Sequence, residues 1–291
     1  MNNKGFTPLI FLLFVPVILI VLFLVSTNGS LLTQMASPIE TYERAKSDLA
    51  DIQKKVGVNV NWQFDQKTKN WQAIGVASNC PEPLVFPSPV DMSLVSGILY
   101  PGQERGGDYK PHGGFRFDNR DDNNIEVRAI FDGYILKASR YEDIGGEVQN
   151  FLFYVSNCGI MVMHDHLLTL SPKLQEVFAK IPLNKNGDSR TTEVTPKVYV
   201  KKDEVLATAI GYKSFPSGYA GRNVFVDFGL YDLRKTNGFD YDTAFRSKHP
   251  NIDEYGVYAV CWFDYIDAKD ASLVKSLPAG GHEGKVSDYC K

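Results

Sequence analysis

The chain has no excess of basic residues, no zinc-finger cysteine spacing and no calcium-loop spacing. With 31 Lys and Arg against 34 Asp and Glu the net charge is −3, so nothing favours a nucleic-acid partner. Cysteine is sparse: Cys80, Cys158, Cys261 and Cys290 are the only four, and no two form a C-x-x-C pair, which excludes the usual structural zinc frameworks. The carboxylates of Asp240, Asp242 and the stretch Asp121 to Glu126 lack the register of a calcium loop and read as solvated loop groups. Charge is missing altogether from Phe6 to Val25. About 20 apolar residues at ~1.5 Å rise span ~30 Å, the thickness of a bilayer's hydrocarbon core. That run predicts an N-terminal transmembrane helix. Lys4 before it leaves a short cytoplasmic tip, and no A-x-A cleavage site follows Val25. The expected location is the cell membrane, single-pass, with the bulk of the chain extracytoplasmic. In that oxidising setting four cysteines predict two disulfides; of the three pairings, proximity in sequence favours Cys80–Cys158 and Cys261–Cys290.

Beyond the expected tip and anchor (1–27), the segment 28–84 reads as a helix followed by a β-hairpin. Ser37-Pro38-Ile39-Glu40 combines a capping-box pattern with proline at the first helical position. Ile39, Tyr42, Ala45, Leu49, Ile52 and Val56 then recur at helical spacing, either to pack on the domain or to form a dimer seam. Val58 to Ala77 alternates around a polar turn at Asp65 to Asn70. From 85 to 233 the chain is mostly short strands. Apolar alternations flank the turn Asp132-Gly133, and Phe151 to Val155 and Gly159 to Met163 flank Ser156-Asn157-Cys158. Lys197 to Lys201, Val205 to Ile210 and Asn223 to Leu230 continue the pattern, and Pro172 to Ala179 is the one helical interruption. Short strands with little helix between them predict a mainly β fold, an antiparallel sandwich or barrel-sandwich with small α/β additions. The remainder, 234–291, is rich in Cys and aromatics: Trp262, Phe263, Tyr265 and Tyr289 lie near two cysteines. These read as a small disulfide-pinned core or as rings able to stack on sugars.

Five pieces of the β segment occur in a telling order. They are His112-Gly113-Gly114-Phe115-Arg116; Val127 to Ile135 around Asp132-Gly133; His164-Asp165-His166-Leu167; Val200 to Gly211; and Phe225-Val226-Asp227-Phe228. Together they resemble the lysostaphin-type zinc metallopeptidases, which are cell-wall endopeptidases with a small β-sandwich. The resemblance covers about Val85 to Asp232. It implies His112 as a first metal ligand and His166 as a proton-transfer residue, with a zinc that keeps one position open for water. The pattern departs from the family at Arg116, where an aspartate ligand belongs, and in the last motif, where the two histidines fall on Phe225 and Asp227 or, slipped by two, on Asn223 and Phe225.

Three readings of that departure stand side by side. In one, the site is catalytically silent and an Arg116–Asp227 salt bridge fills the place of the metal, leaving no cofactor. In another, the zinc site is remodelled: His112, Gly114, Arg116 and Asp118 share one face of a strand, so that Asp118 joins His112, Asp227 and either His164 or His166. In the third, the chain is an unrelated β-sandwich or binding domain whose histidines are structural. The functional expectation is a peptidase-like domain that binds peptidoglycan or an envelope protein without cleaving it. The alternative is a zinc metalloendopeptidase acting on cell-wall peptides.

Overall fold

Proline at position 38 opens helix α1 (Pro38–Val56). The helix ends where Gly57 adopts a positive φ of 75° and donates its N–H to the Gln53 carbonyl at 2.8 Å, a left-handed cap that glycine forms without a Cβ penalty. Ile39, Tyr42, Leu49 and Ile52 of its apolar stripe are solvent-exposed. The computed structural model describes residues 38–143, 146–213, 223–250, 252 and 254–290, and the chain divides into two compact units between Ile52 and Gln53. The apolar run Phe6 to Val25 lies outside the described residues. The expectation of a single-pass anchor and a cell-membrane location is corrected here: among the described residues no helix is long and apolar enough to cross a membrane. The longest described helix, α1, carries charged residues along its whole length.

The second unit begins with the expected hairpin, β1 (Val58–Asp65) and β2 (Asn70–Val76). Asp65 fastens its turn by accepting the Lys67 N–H at 2.8 Å. Trp62 and Trp71 bury their rings beneath it, in one cluster with Tyr134, Phe153 and Tyr255. There follow β3 (Gly97–Leu99), β4 (Gln103–Arg105), β5 (Asp108–Lys110), β6 (Gly113–Arg116), β7 (Val127–Arg128), β8 (Gly133–Glu142), β9 (Val148–Val155) and β10 (Ile160–Leu170). After helix α2 (Pro172–Phe178) come β11 (Leu183–Asn184), β12 (Thr192–Val200), β13 (Val205–Ile210) and β14 (Phe225–Asp232), then helices α3 (Thr243–Lys248) and α4 (Ala268–Ser276). The mainly β expectation holds.

Among the described residues ten strands form one hydrogen-bonded sheet in the order β11-β8-β9-β10-β14-β6-β3, with β12 on β8 and with β13 linking β10 to β7. Its pairs are antiparallel except β11 with β8. Alternation gives the sheet two apolar faces. On β10, Ile160 and Val162 enter the main core, whereas Met161 and Met163 enter the cluster that holds the hairpin tryptophans. The sheet forks along one edge of β10. Residues Ile160 to Asp165 pair with β14, and Leu167 to Leu170 pair with β13. Residue 166 is the branch point. The segment 234–291 completes the main core with Trp262, Phe263, Ile266 and Val274. Both cysteine pairs, Cys80–Cys158 and Cys261–Cys290, are joined as expected.

Candidate functional site

The site is assembled where β6 presses against β14. Gly114 lies opposite Asp227 in the ladder, and a Cβ on Gly114 would stand 2.4 Å from the Val226 carbonyl oxygen. One on Gly113 would stand 2.2 Å from the Leu99 carbonyl oxygen. The Gly-Gly pair is therefore a requirement of close backbone approach on both sides, and not a plain turn. The approach delivers His112, just ahead of β6, onto Asp227: His112 Nε2 lies 3.1 Å from Asp227 Oδ2. On β14, Val226, Phe228 and Leu230 point into the main core, so Asp227 and Tyr231 face the opposite side and line a cleft of about 590 Å³.

The third member comes from the fork of β10. His166 has a φ of 62°, in the left-handed region where a histidine is uncommon. The register of β10 against β9 shifts between His164 and Leu167, the signature of a bulge. A regular strand would send Asp165 and His166 to opposite faces. The bulge instead turns both into the cleft, while Leu167 returns to the core. His166 Nε2 stands 3.7 Å from Asp227 Oδ2, and its ring packs on Phe225 and Tyr212 at centroid distances of 4.5 and 5.3 Å.

The two carboxylates on the floor are held in opposite ways. Burial pushes Asp227 upward, but the charge and hydrogen bond of His112 and the charges of His166 and Arg105 outweigh it, holding the group far below the usual carboxylate range. Arg105 is fastened by donating to the carbonyls of Tyr100 at 2.5 Å and His112 at 2.9 Å. Asp165 is raised, chiefly by burial, with the Asp227 charge adding to it and His166 opposing. Its Oδ1 accepts the Tyr141 hydroxyl at 2.9 Å and the His166 backbone N–H at 2.7 Å. Burial keeps the Tyr141 phenol protonated far beyond its ordinary range, so it serves as a donor. Tyr109 from β5 and His249 also line the cleft, their rings 4.2 Å apart and tilted by 40°, and His249 Nδ1 lies 3.4 Å from a Glu104 carboxylate oxygen.

Three sequence expectations are corrected by this geometry. The Arg116–Asp227 pair does not form. Arg116 instead grips Asp118, with Nε 2.9 Å and Nη2 2.5 Å from its Oδ1, and donates to Asn223 Oδ1 at 3.0 Å. That grip also removes Asp118 as a metal ligand. His164 is not in the site: it is fully buried against Tyr154 and Phe228, on the core face of β10. His112, His166 and Asp227 do converge. Sequence reasoning missed Asp165, Tyr141, Arg105 and His249. Strand alternation puts Asp165 on the cleft face with Met163 and leaves His166 on the core face with His164; only the bulge turns His166 into the cleft beside Asp165.

The family-type metal set does not fit these residues, because the position of its anionic ligand carries the Arg116 cation, turned away onto Asp118. A different set is available. Asp165, His166 and Asp227 offer donor atoms that all lie within 4.8 Å of one another.

No protein-family model matches the chain. No curated protein matches it either. Among solved structures it is similar to the NMR solution structure of lysostaphin, at 16% identity and a TM-score of 0.26, over 48% of this chain and 44% of that one. It is also similar to Helicobacter pylori Csd3 from the orthorhombic crystal, at 10% identity and a TM-score of 0.30, over 71% of this chain and 43% of that one. The chain thus spans less than half the length of either. At these scores the likeness carries no argument, and the site rests on its own geometry.

Proposed function

We propose that the second unit is a lysostaphin-type, peptidase-like domain whose cleft binds peptidoglycan peptides, or an envelope protein presenting similar peptides, without cleaving them. One observation carries the reading. His112, His166 and Asp227, from three separate motifs of the resemblance, meet at the floor of one open cleft. A peptide entering there finds the Asp227 carboxylate, with His112 Nε2 at 3.1 Å and His166 Nε2 at 3.7 Å, and aromatic walls from Tyr109 and Phe151. The same residues speak against family-type catalysis. Arg116 replaces an anionic ligand, and Phe225 packs on His166 where a second proton-transfer group belongs. An apolar ring neither takes nor gives a proton.

Sedimentation of the purified chain with insoluble peptidoglycan tests the reading, run beside an assay for newly released amino groups. Binding without amine release is expected, with a loss of about tenfold or more in Asp227→Asn. The zinc metalloendopeptidase reading is favoured by the cluster Asp165, His166 and Asp227. Chelator-sensitive amine release from the wild-type chain would establish it in place of the binding reading.

A further inference from the structure

On the floor of the cleft two carboxylates, Asp165 and Asp227, and the imidazole of His166 bring donor atoms within 4.8 Å of one another. We infer that these three side chains form a site for a divalent transition-metal cation of the zinc class, displaced from the His112–Arg116 side of the cleft to the Tyr141 side. The inference rests on the cleft reading above and adds a cofactor to it.

Four observations support the placement. Tetrahedral zinc with bonds of ~2.0–2.2 Å holds its donor atoms about 3.3 Å apart. His166 Nε2 and Asp227 Oδ2 are at 3.7 Å, and Asp165 completes a set within 4.8 Å, so small side-chain rotations close the shell. Mixed imidazole and carboxylate donors suit zinc, and a three-residue set leaves a position open toward the cleft. Two buried carboxylates side by side also repel each other, and a dication between them removes that repulsion while taking charge from both. Finally, the surroundings are asymmetric. Tyr141 and the His166 N–H both bind Asp165 Oδ1, which orients the carboxylate. On the far side, the Arg105 cation lies behind His112 and repels an ion there. His112 therefore orients Asp227 by hydrogen bonding and does not bind the metal.

The bulge at His166 is what makes such a set available from adjacent residues. Without it Asp165 and His166 would face opposite sides of β10.

Titration of the EDTA-stripped, full-length chain with Zn²⁺ by calorimetry tests this, with Mg²⁺ as the comparison ion. One Zn²⁺ per chain is expected and no saturable heat from Mg²⁺. Asp165→Asn should weaken Zn²⁺ at least a hundredfold, whereas His112→Gln, which removes only an orienting contact, should weaken it about tenfold. Thermal melts of both variants in EDTA separate loss of the site from loss of the fold, and Asp165→Glu should restore part of the affinity. The reverse order, with His112→Gln the more damaging, would overturn the placement. So would an absence of saturable Zn²⁺ binding in the wild-type chain. Peptidoglycan sedimentation repeated in EDTA keeps the two proposals apart, since binding that persists there supports the cleft even if the metal site fails.

Discussion

Replacing His164 with leucine should stabilise this protein, and should do so more strongly in acid. His164 is fully buried on the core face of β10, and neither ring nitrogen has a hydrogen-bond partner. Its neighbours are rings: Phe228 at 5.4 Å and Tyr154 at 6.3 Å. Leaving a buried polar group unpaired costs about 1–3 kcal/mol, and leucine removes that cost at similar volume. Burial also depresses the imidazole from its ordinary value to about 3, and the nearby Asp227 carbonyl offsets this only in part. The sign follows from which state binds the proton. Above about pH 6.5 neither state is protonated and the site imposes no pH dependence. Below that the unfolded chain takes up a proton that the folded chain refuses, so stability falls as pH falls from about 6.5 toward 3. Between about pH 7.5 and 5 the loss from this one residue is ~2 kcal/mol, worth roughly 4–8 °C in Tm for a body of this size. The assay is denaturant unfolding of the wild-type chain and His164→Leu at several pH values with EDTA present. The difference between them cancels every other titrating group. The leucine variant should be ahead by about 1–3 kcal/mol at neutral pH and by ~2 kcal/mol more near pH 5. A variant less stable than wild type, or a difference that stays flat with pH, would refute the reasoning.

Two further outcomes are expected. Gly114→Ala places a Cβ 2.4 Å from the Val226 carbonyl oxygen and 3.1 Å from the Asp227 Cα, backbone atoms of the paired strand that cannot yield as a side chain would. Its unfolding free energy should drop by about 1–3 kcal/mol, and peptidoglycan sedimentation should weaken with it because β6 carries His112 to Asp227. The two disulfides should differ in worth according to the loops they close. Cys80–Cys158 spans 78 residues and Cys261–Cys290 spans 29, and the chain-entropy relation gives about 4–5 kcal/mol for the first and about 3–4 kcal/mol for the second. Urea unfolding of the two double alanine variants checks the order. A larger loss at the shorter loop would show that native-state packing, not loop closure, governs them.

Much of the architecture is legible in single segments. The capping pattern at Ser37-Pro38 marks the start of α1, and the polar turn at Asp65 to Asn70 marks the hairpin. Alternation separates Val226 and Phe228 from Asp227 with no knowledge of the neighbouring strand. The hairpin tryptophans and the segment 234–291 are harder to read. An apolar run shows that a residue will be buried, but not against what, and these residues pack into the same body as the motif-bearing strands.

The sequence by itself determined the mainly β character and the order of the motifs, and proximity along the chain favoured the cysteine partners that form. Each of these follows from local periodicity, turn chemistry, motif order or proximity along the chain. Tertiary structure alone decided the rest. Whether Arg116 would choose Asp227 or Asp118 depended on distances across β6 and β14, and the nearer carboxylate won. Whether His166 would face the cleft beside Asp165 depended on the fork of β10, where one edge passes from β14 to β13 and the backbone at His166 turns left-handed to make the change. A bulge arises from the pairing of distant strands, and in this chain a single bulged residue brings His166 beside Asp165 on the floor of the cleft.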